Sequence, residues 1–169
     1  MKAVRILITG GTLDKVHDTR TEGLAFPPGG ESQVPDLLRN ARCHYPVTQQ
    51  ILQMDSLDFT DAERQAILSA TLAAEEEALV ITHGTGTMGD TARFLAGQVT
   101  GKTVVLTGAM RPYSLGRSDA AFNLGGALIA AQTLAHGVYG LMNGRVFTAS
   151  DLNKDLTSGR FDLGANLGV

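Results

Sequence analysis

Apolar and polar positions alternate along the chain in blocks rather than singly. Val4 to Thr9 (VRILIT), Ala78 to Thr82 (ALVIT) and Lys102 to Thr107 (KTVVLT) are short, continuous, β-branched runs. Runs of this kind are strands covered on both faces, because a strand with one wet face would alternate with a period of two. Val47 to Met54 reads as a further strand. Val138 to Met142 and Val146 to Thr148 flank Asn143-Gly144, a two-residue hairpin signal.

Helical spacing fills the intervals. Val34 to Ala41 predicts a short helix. Thr60 with Glu63 forms a capping box opening a helix that runs to near Glu76. Another helix follows His83 to Asp90 and extends to about Gln98, and a long Ala-rich one spans Ser118 to His136, opened by Ser118-Asp119. Asp14 to Glu31 is rich in Gly, Pro and charge without periodicity, which predicts a long loop of the kind that covers active sites. The last twenty residues carry no clear element. Strands alternating with helices predict an α/β fold: a three-layer, mostly parallel, Rossmann- or flavodoxin-like sheet with helices on both faces and a C-terminal hairpin.

Composition narrows the class. With 169 residues, 43% apolar and 18% charged, the chain is expected to form one globular domain, residues 1–169, with no linker or internal repeat. A net charge of −3 without a basic block argues against nucleic acid or an anionic membrane surface as partner. Cys43 is the single cysteine, so no internal disulfide or Cys/His zinc pattern exists. The start runs directly into a strand with no signal-peptide pattern, which gives a cytoplasmic expectation.

The chemistry gathers where strands stop. Thr9-Gly-Gly-Thr12, Thr82-His-Gly-Thr-Gly-Thr87 and Thr107-Gly-Ala-Met-Arg-Pro112 are three Gly/Thr turns, and doubly wound sheets bind ligands beyond the carboxyl ends of their strands. Three chemistries compete there. Gly84, Gly86 and Gly89 match a dinucleotide-binding spacing, but the next strand ends at Thr107-Gly108 without an acidic residue. Phosphate binding at a helix start lacks the lysine-containing loop, since Lys102 precedes its strand. The third is nucleophilic catalysis by a threonine hydroxyl, which needs a neighbouring base. Thr85 and Lys102 lie on adjacent predicted strands and are expected to meet, the lysine deprotonated by burial. His83 sits beside its turn without a nucleophile elbow, while His17, His44 and His136 read as surface or structural residues.

At these residues the sequence resembles the bacterial-type L-asparaginase family, including its glutaminase-active members. Thr9-Gly-Gly-Thr12-Leu13 corresponds to its T-G-G-T-I, and Ile81 to Ala92 to its I-T-H-G-T-D-T-M-x-x-T-A. A lysine-led strand ending in G-A-M-R-P, here Lys102 to Pro112, comes next. Ser118 to Leu124 matches S-A-D-G-x-x-N-L loosely, and Val146 to Lys154 resembles the segment after the family's last small-domain strand. The resemblance implies an amidohydrolase converting L-asparagine to L-aspartate and ammonia through an acyl-enzyme on Thr12. It implies Thr85 and Lys102 as the second hydroxyl–amine pair and Ser56 holding the substrate carboxylate. Gly11, Gly84, Gly86 and Ala109 would line the pocket, with backbone N–H groups serving an oxyanion. The implied partners are a small amide and further copies of the chain, as a dimer or tetramer, and no metal or other cofactor is implied.

Three departures accompany the match. The family's aspartate after the second threonine, which pairs with the substrate α-amino group, is Gly86 here. No tyrosine occurs between Thr12 and Glu31, where the family carries one. The usual chain is about twice as long, so the resemblance is to a short form with the N-terminal catalytic domain alone. These departures lower the expected affinity for a zwitterionic amino acid, unless Asp55, Asp58 or a neighbouring chain supplies the missing carboxylate, and leave a second class in view, a binding relative without catalysis.

Overall fold

A computed structural model describes residues 2–161. Eight strands and four α-helices follow one another as β1 (Val4–Gly10), β2 (Val16–Asp18), β3 (Gly23–Ala25), α1 (Val34–Asn40), β4 (Val47–Met54), α2 (Asp61–Ala73), β5 (Ala78–Thr82), α3 (Met88–Ala96), β6 (Thr103–Thr107), α4 (Ala120–Thr133), β7 (Gly137–Met142) and β8 (Arg145–Thr148). The main sheet has the order β4-β1-β5-β6-β7-β8, parallel except for β8. The expected α/β sheet and closing hairpin are therefore present. The tail beyond Phe161 lies outside the described residues.

Side-chain alternation divides the sheet between two apolar layers. Ile6, Ile8, Val80 and Val105 pack with α1 and α4, whereas Leu7, Leu79, Ile81, Val104 and Leu106 pack with α2 and α3. Successive residues point to opposite faces, so a strand buried twice must be apolar throughout, as β5 and β6 are. β4 is an edge strand, and its exposed first half carries Thr48, Gln49 and Gln50. Asn143 (φ 53°) and Gly144 (φ 79°) both occupy the left-handed region, as the tight β7–β8 turn requires.

The order of the sheet also locates the crevice. From β1 the chain passes to β4 on one side, then returns to β5 on the other. Connections diverge between β1 and β5, and that switch point is where open α/β sheets bind ligands. Registers Ile8↔Thr82 and Thr82↔Thr107 bring the ends of β1, β5 and β6 level.

Two local expectations change. Within the predicted loop from Asp14 to Glu31, Val16, His17 and Asp18 pair with Ala25, Leu24 and Gly23. Three-residue strands are too short to show a period. Asp18 accepts the Arg20 N–H at 2.9 Å, and that hydrogen bond is the main cause holding its carboxyl below the usual range. The last long helix is shorter than predicted, and its Asp119 does not cap it: Ser118 Oγ accepts the Ala120 N–H at 3.0 Å. Asp119 instead accepts from the Met110 and Arg111 N–H groups and from Asn123, tying α4 to the turn after β6.

Candidate active site

The three turns stack backbone on backbone, and glycine is what permits it. Gly10 (φ 100°) and Gly11 (φ 79°) adopt left-handed conformations. A Cβ on Gly11 would lie 2.5 Å from Gly84 N, and one on Gly84 would lie 2.7 Å from Ser56 Cβ. A Cβ on Gly108 would strike the His83 carbonyl, so the turn after β6 lies against the turn after β5. Thr12 and Thr85 each follow one of the touching glycines, and so share one rim at the switch point. Thr12 is half-buried and Thr85 is 7% exposed. Ala109 is fully buried in the apolar layer under α4.

Lys102 is not on this rim. It precedes β6, at the opposite end of the sheet, a strand of five residues or about 16 Å away. Its Nζ donates to the carbonyls of Ala74 at 2.7 Å and Glu76 at 2.9 Å, where the cation caps the end of α2. Adjacent strands in a parallel sheet bring together residues at the same end, whereas Thr85 and Lys102 stand at opposite ends.

The amine beside Thr85 comes from the tail after β8. Lys154 Nζ lies 3.2 Å from Thr85 Oγ1, and among the described residues no carboxylate pairs with it. Leu152, fully buried two residues earlier, anchors the segment. A Cβ on Gly140 would lie 2.8 Å from Leu152 Cγ, and one on Gly89 would collide with the Leu152 carbonyl. Arg93 adds a hydrogen bond to Asn153 at 3.1 Å while pairing with Asp90 at 2.7 Å. The resemblance covers this tail without assigning Lys154 a role; its one local signal is a lone leucine in a polar stretch.

Ser56 is buried beneath the rim. Its carbonyl accepts the Thr87 hydroxyl at 2.7 Å, and its Oγ faces Gly84 and the Thr87 N–H. Asp55 is committed to a local pair, with Oδ2 accepting from Lys15 Nζ at 2.5 Å and Oδ1 from the Leu57 N–H at 3.1 Å. Burial pushes its carboxyl up, but the bonds from Lys15 and Leu57 outweigh that and hold it below its ordinary value. A Cβ on Gly86 would lie 2.7 Å from Leu57 Cδ2, so Leu57 stands beside the bare backbone next to Thr85.

His83 is structural. Its ring is fully buried, edge-on to Phe59 with centroids 5.0 Å apart. Nδ1 lies 2.8 Å from the Gly84 carbonyl, which only accepts, so Nδ1 carries the proton and Nε2 accepts the Thr91 hydroxyl at 2.8 Å. Burial lowers its pKa to about 4, so the neutral ring ties the threonine turn to α3. Asp14, also buried, accepts from Ser32 Oγ at 2.7 Å and the Gln33 N–H at 2.8 Å, while its Oδ2 has no hydrogen-bond partner among the described residues. Burial pushes its carboxyl up, and those two bonds offset this only in part. Among the described residues no three His, Cys, Asp or Glu side chains form a metal cluster, and no helix is long and apolar enough to cross a membrane.

With this geometry in place, the family model "Asparaginase, N-terminal" matches residues 3–163. The chain belongs to the asparaginase family. It is 32% identical to L-asparaginase 2 of Escherichia coli over 166 residues, covering 92% of this chain and 47% of that protein. It is 34% identical over 149 residues to one component of the glutamyl-tRNA(Gln) amidotransferase of Methanococcus maripaludis, covering 85% of this chain and 35% of that component. Among solved structures, a probable cytoplasmic L-asparaginase from Campylobacter jejuni superposes with a TM-score of 0.77 at 27% identity, covering 98% of this chain and 52% of that one. The relatives thus include both L-asparaginases and an amidotransferase component, and this chain spans about half or less of their length.

Proposed function

We propose that this asparaginase-family chain is a threonine amidohydrolase that releases ammonia from the terminal amide of a small carboxylic acid, with L-asparagine as the reference substrate. The observation that carries this reading is the Lys154–Thr85 pair, 3.2 Å apart, on the rim that also presents Thr12. A pocket that only binds has little use for an amine held against a hydroxyl beside a second threonine.

The reaction needs a nucleophile, a proton carrier and donors for the oxyanion. Thr12 Oγ adds to the amide carbon and gives up its proton. The carbonyl oxygen takes the negative charge, facing backbone N–H groups of the stacked turns. The amide nitrogen gains a proton and leaves as ammonia when the C–N bond breaks, leaving an ester on Thr12. Water then adds to that ester, and breaking the C–O bond restores the Thr12 hydroxyl and frees the acid. The Thr85–Lys154 pair is placed to pass protons in both halves, a role worth about 10²–10⁴ in rate. Ser56, under Gly84, is the group for the substrate carboxylate.

The test is ammonia release by the folded protein from L-asparagine, L-glutamine and their des-amino counterparts, beside Thr12→Ala. Release that disappears in the variant is expected. A folded protein that releases none from any of these amides refutes the proposal. The similarity to an amidotransferase component favours a second reading, in which release requires a partner; turnover by the chain alone would dismiss it.

A further inference from the structure

Resting on that amidohydrolase reading, we infer that the preferred substrate carries a carboxylate beside its amide but no free ammonium group, and that Leu57 and Gly86 set this preference. An ammonium taken from water needs a carboxylate or several acceptors at its new position, because an unpaired buried charge is costly.

The carboxylates on the turns around the two threonines are largely committed. Asp55 binds Lys15 and the Leu57 N–H. Asp90 binds Arg93, and Asp119 binds the Met110 and Arg111 N–H groups with Asn123. Asp14 is fully buried and turned to Ser32 and Gln33. Beside Thr85 itself, Gly86 has no side chain, and the volume a Cβ would take is held by Leu57, 72% exposed and apolar. Lys154, which faces Thr85, has no carboxylate partner among the described residues. An apolar wall and a bare backbone, beside an amine without a carboxylate partner, leave a substrate ammonium next to Thr85 with nothing to pair with and favour an uncharged substituent there. Asp58, exposed two residues beyond Ser56, is the acid of that turn whose carboxylate has no partner among the described residues, and it enters the test for that reason.

The experiment compares kcat/KM for succinamate, which is asparagine without its amino group, with that for L-asparagine, using the full chain. Succinamate is expected to be favoured by about tenfold or more, the scale of one charge-assisted hydrogen bond. The double variant Leu57→Ala, Gly86→Asp, with its fold checked by circular dichroism, is expected to shift the ratio toward asparagine. A wild-type preference for L-asparagine overturns the inference, and its loss in Asp58→Asn would assign the ammonium to the Asp58 carboxylate. Should neither amide be hydrolysed, the amidohydrolase reading fails by itself. Calorimetric binding of succinate against L-aspartate then decides the charge preference separately: tighter succinate upholds it and tighter aspartate overturns it.

Discussion

Acidification from about pH 7.5 to pH 4 should destabilise the fold by about 3 kcal/mol through one side chain, His83. In the native protein this ring is neutral down to about pH 4, against an ordinary value of 6.5. The unfolded chain takes up that proton near 6.5, so between the two values the unfolded state binds more protons and stability falls as pH falls. The interval from 6.5 to about 4 at about 1.4 kcal/mol per pH unit has a limit of about 3.5 kcal/mol, of which about 3 kcal/mol is lost by pH 4, where the native ring is itself half protonated. The mechanism is specific. A second proton on the ring would have to go on Nε2, which accepts the Thr91 hydroxyl in a fully buried site with no carboxylate bonded to it. Asp14 works in the opposite direction: burial raises its carboxyl, so the fold takes up that proton before the unfolded chain does and gains from acid above the ordinary 3.8. Subtraction against His83→Asn removes this and every other shared contribution. Urea unfolding of both proteins at about pH 7.5, 6.5, 5.5 and 4 gives the two stability curves. Wild type should lose stability across that interval, with the His83→Asn curve flatter by the stated amount. Parallel curves would refute the assignment, whatever the absolute stability of the variant.

Other expectations follow from the same geometry. Lys154→Met should lower ammonia release by about 10²–10⁴ in kcat, while the thermal midpoint changes little. Lys102→Met should do the reverse, leaving kcat intact and lowering unfolding free energy by about 1–2 kcal/mol, since the Ala74 carbonyl at the end of α2 and the Glu76 carbonyl in the connection to β5 lose their donor. Gly84→Ala should cost about 1–3 kcal/mol and release, because its Cβ would lie 2.7 Å from Ser56 Cβ and the turns would part. Leu152→Ala should cost about 2–5 kcal/mol, read by urea unfolding, and should reduce kcat as well, because the buried anchor that holds Lys154 at Thr85 is lost.

Much of the architecture is local information. The runs at Val4, Ala78 and Lys102 read as strands buried on both faces because they are short, rich in β-branched residues and stopped by Gly-containing turns. The Thr60–Glu63 box and the Asn143-Gly144 turn state their geometry within four residues, and both form as read. The three Gly/Thr turns are likewise visible as a rim, since parallel strands bring their carboxyl ends to one edge.

What the sequence could not determine was which lysine meets Thr85. Proximity of Lys102 along the chain suggests a partner, yet strand polarity places it at the far edge, where it caps α2. Lys154 lies 69 residues from Thr85 and reaches it because Leu152 fills the space left by two glycines, on α3 and β7. Neither fact has a period or a motif. Commitment of Asp55 to Lys15 and of Asp119 to the turn after β6 is of the same kind, because a carboxylate's partner is chosen by packing between distant elements. Strands, caps and turns follow from interactions within a few residues and are legible in one dimension. The site depends on contacts that exist only once the sheet has ordered its strands.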